Sequence, residues 1–176
     1  NWYQIGFEDG ARGFPASRIS QHRKAGAKHG VTTELDNYLD GRNHGLVQFC
    51  TPVNGYNLGV SGRAYQNQCA KELAHPFLEA YNRGKDVYYF KQDLRREEAQ
   101  VSRLENQLDN IENEILKKEE ALSKNCSDKK SCRRILDEIR DLDDQKNALN
   151  HELYRQRSHV ENMRHTLSEM ELNNRF

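Results

Sequence analysis

The stretch VSRLENQLDNIENEILKKEEAL, residues 101–122, carries apolar residues at alternating spacings of three and four. That rhythm is typical of a coiled-coil seam, the stripe along which one helix packs against another. Extended in both directions, the first stripe consists of Val87, Phe90, Leu94, Glu97, Val101, Leu104, Leu108, Ile111, Ile115, Lys118 and Leu122. The stretch therefore predicts a helix that needs a partner along its length.

A second stripe with the same rhythm follows in the chain. It consists of Ile135, Ile139, Leu142, Lys146, Leu149, Leu153, Gln156, Val160, Met163, Leu167 and Met170. If the chain folds back between the stripes, facing residues have numbers that sum to 257, as Leu104 and Leu153 do. Every polar seam residue then faces an apolar one. The two stripes predict a long antiparallel coiled-coil hairpin with arms of roughly 50 Å.

The turn of this hairpin is predicted in NCSDKKSC, residues 125–132. Cys126 and Cys132 lie almost opposite each other there, and a bridge between them would stop the helix ends from fraying. A metal pair and a redox-active dithiol are the alternatives, but the spacing is C-x5-C and not C-x2-C. We expect a structural disulfide.

The rest of the chain has a different composition, because all 11 glycines and all 3 prolines precede residue 86. We therefore divide the chain into a glycine-rich head, residues 1–85, and a hairpin tail, residues 86–176. The head repeats one phrase, an aromatic residue followed three positions later by glycine: Tyr3 and Gly6, Tyr38 and Gly41, Tyr56 and Gly59, Tyr81 and Gly84. This predicts short helices packed by aromatic-into-glycine contacts, so the fold class is all-α.

Local signals place some helix ends in the head. Pro15 before Ala16 marks a start, Gly30 marks a stop, and Thr33 can cap the next helix.

Cys50 and Cys69 flank an irregular stretch of the head that needs a covalent tie. Four cysteines permit three pairings, and the predicted length of the hairpin favours the local one, Cys50 with Cys69. A zinc site with histidines such as His44 or His75 is the alternative, although no compact ligand pair supports it. Disulfides form in oxidising compartments, so we expect an exported protein.

Catalytic and phosphate-binding motifs are absent from the sequence. In GFEDGARG, residues 6–13, the adjacent Glu8 and Asp9 do not face each other on a helix, so capping and surface ion pairs with Arg12 are expected. No GxxxxGK[ST] loop and no nucleophile motif occurs. We expect no enzyme activity, no catalytic residue, no metal and no cofactor.

Composition excludes further classes of function. The formal net charge is zero, and neither part has the basic bias of a nucleic-acid binder. No apolar run approaches the roughly 18 residues that span a bilayer.

The phrases WYQIGFEDGARG, ISQHRKAGAKHGV, YLDGRNHGLVQFC and YNLGVSGRAYQNQC occur in this order. Together they resemble a family of small proteobacterial lipoproteins catalogued as a domain of unknown function, over about residues 2–94. The resemblance implies a lipidated cysteine upstream of Asn1 and an anchor, most simply in the outer membrane, that faces the periplasm. It implies no activity.

These observations favour a non-enzymatic periplasmic lipoprotein, a structural or interaction subunit of a cell-envelope assembly whose hairpin contacts a protein partner. An alternative is a binding module whose head holds a peptide or a cell-wall fragment, in a pocket lined by Tyr38, Arg42, His44, Tyr56 and Arg63. The simpler interpretation of these five is that the aromatics are core and the arginines surface. An envelope hydrolase is the third hypothesis.

Overall fold

The structure, a computed structural model, describes residues 1–27, 32, 34–126 and 128–174. All regular elements in these ranges are helical: α1 (Trp2–Ala11), a 3-10 helix (Ala16–Arg18), α2 (Ile19–Ala27), α3 (Leu35–Phe49), α4 (Pro52–Val60), α5 (Lys71–Asn125) and α6 (Lys129–Leu172). The all-α prediction is confirmed. Two compact units are present, a head unit built mainly from Asn1–Phe90 and a long-helix unit built from Lys91–Leu172.

Side-chain caps and prolines set the helix starts in the head unit. The Asn1 side chain accepts a hydrogen bond from the amide of Tyr3, and Thr51 caps α4, whose first residue is Pro52. The start predicted after Pro15 is the 3-10 helix that leads into α2. The predictions for Gly30 and Thr33 lie outside the described residues.

Helices α1 and α3 pack backbone against backbone through glycines. A Cβ built on Gly6 would lie 2.0 Å from the carbonyl oxygen of Tyr38, and one on Gly41 would lie 2.0 Å from the carbonyl oxygen of Tyr3. Only glycine permits so close an approach. The predicted pairing of aromatic residues with glycines is therefore real in position, but the glycines meet the aromatic residues' carbonyls and not their rings.

Helices α4 and α5 form a second pair with the same kind of contact between glycines and backbone carbonyls. A Cβ on Gly59 would lie 2.2 Å from the carbonyl oxygen of Tyr81, and one on Gly84 would lie 2.3 Å from that of Tyr56. The head unit thus contains two glycine-paired helix pairs.

The sequences of the two pairs can be aligned. GFEDGARG, residues 6–13, corresponds to GYNLGVSG, residues 55–62, and YLDGRNHGLVQF, residues 38–49, corresponds to FLEAYNRGKDVY, residues 77–88. The contacts of Gly6, Gly10 and Gly45, and the turn contacts that follow, recur at the aligned positions, whereas Gly41 aligns with Ala80. We infer that the two pairs are copies of one structural unit.

The turns after α1 and α4 show this correspondence in detail. Gly13 and Gly62 occupy aligned positions and have φ angles of 72° and 71°, a region that favours glycine. Gly13 faces the ring of Phe49, and Gly62 faces the aligned ring of Tyr88. Aromatic rings therefore do meet glycines, and they do so most closely at the turns.

A buried cluster next to the second pair holds the head together. It consists of Leu46, Cys50, Leu58, Phe77 and Tyr81. The disulfide between Cys50 and Cys69 is the predicted local pairing, with the two Cα atoms 5.7 Å apart. The covalent tie therefore enters the core itself.

Candidate functional site

The first helix pair and the segment between its helices share a partly buried group of polar side chains, which we call the polar cluster: Asp9, Arg18, His22, Tyr38 and Arg42. Asp9 lies on α1, beside the glycines that contact α3, and its side chain points at α3. Arg18 ends the 3-10 helix, and His22 lies on α2, one turn later. Tyr38 and Arg42 are one turn apart on α3. Three helical segments thus converge on one carboxylate.

The carboxylate of Asp9 is 5% exposed and accepts three side-chain hydrogen bonds. One oxygen receives the Tyr38 hydroxyl at 2.8 Å and the His22 Nε2 at 2.8 Å. The other receives the Arg18 Nε at 3.1 Å. A buried charge is tolerated when it is paired and hydrogen-bonded in this way.

Tyr38 and Arg42 form the buried side of the polar cluster. Burial raises the pKa of the Tyr38 phenol well above its ordinary value, and the hydrogen bond to Asp9 and the charge of Asp9 raise it further. Burial also lowers the pKa of the Arg42 guanidinium, which the nearby Tyr38 and Asp9 partly offset. Arg42 donates from Nε to the carbonyl oxygen of Phe14 at 2.9 Å. Tyr38 is therefore a neutral donor beneath the ionic groups.

The second helix pair has apolar or aromatic residues at the positions aligned with three members of the polar cluster. Leu58 aligns with Asp9, Phe77 with Tyr38 and Tyr81 with Arg42. The Tyr81 hydroxyl even donates to the carbonyl oxygen of Arg63 at 3.0 Å, the position aligned with the carbonyl that Arg42 bonds.

The second pair forms the same backbone packing with apolar or aromatic residues at the three aligned positions. That packing therefore does not require Asp9, Tyr38 or Arg42. Replacing buried ion pairs with well-packed apolar residues is often neutral or stabilising. The polar cluster is therefore the part of the head unit that its architecture does not explain, and it is the candidate site.

The five residues predicted to line a pocket are not all brought together. Tyr38 and Arg42 belong to the polar cluster, and the exposed His44 accepts or donates at Nδ1 to the Tyr3 hydroxyl at 2.8 Å. Tyr56 is half-buried on α4, and Arg63 is exposed just after it. The simpler interpretation holds for Tyr38 as a core aromatic, but it is wrong for Arg42, which is buried.

Sequence reasoning missed Asp9, Arg18 and His22. The expected capping or surface role is wrong for Asp9, because its side chain is buried against α3; Glu8 is exposed and accepts from Gln4. The signal that finds Asp9 is the alignment of the two pairs, where an acid replaces an apolar residue at a core position.

The long-helix unit pairs α5 with α6. From Leu94 to Met170, each residue of the two predicted stripes is buried or half-buried, and Leu104, Ile115, Leu153 and Val160 are among the most buried. Three ion pairs beside these residues join the helices: Lys91 with Glu171, Glu98 with Arg164, and Glu105 with Arg157. A fourth joins the stripe residue Lys118 to Glu138. The two stripes therefore form the shared apolar interface.

Two of the polar seam residues form a hydrogen bond with each other. The Gln156 side-chain amide donates to the Glu97 carboxylate at 2.5 Å in a half-buried setting. Each of these residues was expected to face an apolar one, Glu97 facing Val160 and Gln156 facing Val101. Bonding across neighbouring layers removes the cost of an unpaired polar group in the seam.

The predicted turn carries the second disulfide. Cys126 and Cys132 are bonded, with their Cα atoms 5.1 Å apart. Asp128 caps α6 by accepting hydrogen bonds from the amide and hydroxyl of Ser131 and from the amide of Lys130, and these bonds hold the pKa of its carboxyl below the usual range. The tip is thus closed by one covalent bond and one helix cap.

Large apolar side chains also stand outside the seam of the long-helix unit. Tyr154 is 77% exposed and Leu116 is 61% exposed. A groove of about 570 Å³ between the helices is lined by Ile111, Ala148 and Leu149 together with three amide side chains and the carboxylate of Glu152. Apolar groups therefore interrupt an otherwise charged surface.

Neither a metal-binding group nor a membrane-spanning helix occurs in the described part of the chain. Within the described residues, no group of three or more His, Cys, Asp or Glu side chains is placed to hold a metal ion. None of the described helices combines the length and apolar content that crossing a bilayer requires.

Comparison with known proteins places the head unit in a family context. No curated protein and no solved structure matches the chain. Residues 1–86, which contain both helix pairs except for the last turn of the second, match the family model described as "Protein of unknown function (DUF2799)".

Proposed function

We propose that the protein is a non-enzymatic periplasmic lipoprotein that serves as an interaction subunit of a cell-envelope assembly. In this proposal the long-helix unit is an antiparallel hairpin that contacts a protein partner, and a lipid upstream of Asn1 tethers the chain to the outer membrane. The observation that carries the proposal is the pair of long helices whose seam is filled and whose outer face still exposes Tyr154 and Leu116.

The order of the cross-helix contacts supports an antiparallel hairpin. Lys91 near the start of the unit pairs with Glu171 near its end, while Lys118 pairs with Glu138 close to the turn. The turn itself is short, because α6 begins four residues after α5 ends. A disulfide at the tip is the natural device for keeping two such helices together.

The exposed apolar side chains support a contact role. Apolar groups at the surface of a charged helix pair gain free energy when a partner covers them, and aromatic residues such as Tyr154 commonly anchor interfaces. The mixed charges that surround them suit a protein partner better than a nucleic acid, because neither sign dominates.

The export and lipid-anchor parts of the proposal rest on other observations. The protein has two disulfides, and disulfides are favoured in oxidising compartments. The lipid anchor is what the resemblance of the head to a lipoprotein family implies. Fractionation of the native protein tests both, since recovery as a reduced cytosolic protein would contradict them.

Site-specific photocrosslinking in cells tests the contact role. A photoreactive phenylalanine analogue replaces Tyr154 or Leu116 in the full chain, and Gln66, exposed in the head unit, is the matched control position. We expect one discrete adduct from the two long-helix positions and none from Gln66. Adducts from Gln66 alone, or from no position, would contradict the hairpin as the contact element.

Paired cysteines test the antiparallel register. Leu104→Cys with Leu153→Cys should bridge under mild oxidation, because the residue numbers sum to 257. Leu104→Cys with Leu167→Cys is the control and should not bridge. Bridging in the control, or failure in the test pair, would show that the proposed register is wrong.

A further inference from the structure

The polar cluster carries more positive than negative charge. Its permanent charges are the guanidiniums of Arg18 and Arg42 and the single carboxylate of Asp9. The segment around it adds to the imbalance, because residues 10–27 contain three further basic side chains, Arg12, Arg23 and Lys24, and no acidic one. In a chain of zero net charge, this local surplus favours an anion.

Arg18 is held in a fixed orientation by two neighbours. Its Nε donates to Asp9, and its Cζ lies 3.8 Å from the centre of the Phe14 ring. The side chain is nevertheless 32% exposed. Within the described residues, Nη1 and Nη2 donate no hydrogen bond, and these are two of the parallel donors with which arginine binds carboxylates and phosphates.

His22 stands beside Arg18 on the same face. The two residues are four positions apart, a spacing that places side chains next to each other on a helix. The Nε2 of His22 bonds Asp9, and the side chain is 30% exposed. The other ring nitrogen, Nδ1, can donate to an anion when the ring is protonated.

Asp9 orients the Arg18 guanidinium and the His22 ring from the buried side. Each of its oxygens holds one of them, and Tyr38 fixes the carboxylate from the buried side. Pre-positioned donors lose little conformational freedom when a ligand binds. The second helix pair forms its glycine contacts with Leu58 in place of Asp9, so this packing does not depend on the carboxylate that orients the two donors.

We propose that Arg18 and His22, oriented by Asp9, form a binding site for an oxyanion group, a phosphate or a carboxylate. This site lies in the head unit and is independent of the role proposed for the long helices. A free small molecule and an anionic lipid headgroup offer the same chemistry, and the experiment distinguishes them.

Isothermal titration of the full chain with inorganic phosphate, and separately with acetate, tests the site. We expect saturable binding of at least one of these anions at low salt. Arg18→Gln should weaken it at least tenfold, while Arg23→Gln, an equal charge change at an exposed residue of α2, should change it less than twofold. Absence of saturable binding, or equal loss in the two variants, would overturn the proposal.

Two additions keep the test decisive. The fluorescence of Trp2, the single tryptophan, reports whether a variant head is folded; if Arg18→Gln is not, His22→Gln takes its place with the same expected loss. Vesicles of phosphatidylglycerol, compared with phosphatidylcholine, identify the source. Binding to the anionic vesicles that Arg18→Gln abolishes indicates a lipid headgroup, and binding of the free anion alone indicates a soluble ligand.

Discussion

The glycine contact between α1 and α3 makes a quantitative prediction for Gly41→Ala. The added Cβ would lie 2.0 Å from the carbonyl oxygen of Tyr3, whereas ordinary contacts begin near 3.4 Å. The helices must therefore separate by about 1.4 Å at this point. Both sides of the contact are backbone, so no flexible side chain can move aside.

The expected cost follows from two opposing effects. Overpacking a tight interface costs about 1–3 kcal/mol, and a rigid backbone contact belongs at the upper end of that range. Alanine recovers about 1 kcal/mol of helix propensity relative to glycine. The net loss in Gly41→Ala should be about 2 kcal/mol, or roughly 10 °C in the melting temperature of a unit of this size.

Trp2 provides the assay, because it is the single tryptophan and lies in the first pair. Its ring is buried at the start of α1, and its Nε1 donates to the carbonyl oxygen of Thr32 at 2.8 Å. Thermal unfolding is followed by tryptophan fluorescence, with Asn43→Ala, an exposed position of the same helix, as the control. If Gly41→Ala melts at or above the wild-type temperature, the close approach is not a feature of the folded head.

The two disulfides and Tyr38 make further predictions. Replacing Cys126 and Cys132 with serine should cost about 2 kcal/mol in the long-helix unit, against about 3 kcal/mol in the head for Cys50 and Cys69, since the loop between Cys50 and Cys69 is longer. Urea unfolding of each variant measures both losses, and a larger loss for the Cys126 and Cys132 variant would contradict the loop argument. The folded head raises the pKa of Tyr38 above the ordinary value of 10.0. The stability that comes from the protonated Tyr38 phenol is therefore fully present below about pH 10 and is lost as the pH rises further. Tyr38→Phe should therefore lose less stability than wild type between neutral pH and pH 11, and identical pH profiles would refute the coupling.

The long helices were predictable from sequence because one periodicity governs them. Residues such as Leu104 and Leu153 contribute to a seam through their side chains, and a spacing of three and four residues is enough to locate it. The bond between Glu97 and Gln156 was not predicted, because facing positions alone do not show that long polar side chains reach the neighbouring layer.

The head was less predictable, because its contacts involve backbone atoms. An aromatic residue followed by glycine indicates close packing, but it does not say whether a ring or a carbonyl fills the space at Gly6 or Gly41. The burial of Asp9 was hidden for a related reason. Helical spacing alone did not show which face of α1 meets α3, and only comparison with Leu58 in the second pair identifies a core position.

The central claim is that the polar cluster is a specialised site on a duplicated helix pair, and one variant tests it most directly. In the full chain, Asp9→Leu, Tyr38→Phe and Arg42→Tyr give the first pair the residues of the second at these three positions. The tyrosine introduced in place of Arg42 supplies a hydroxyl aligned to bond the carbonyl of Phe14. The free energy of unfolding and the phosphate affinity of this variant are measured together. We predict stability equal to or above that of the wild type and loss of anion binding; an unfolded head, or a folded one that binds phosphate as before, would contradict the claim.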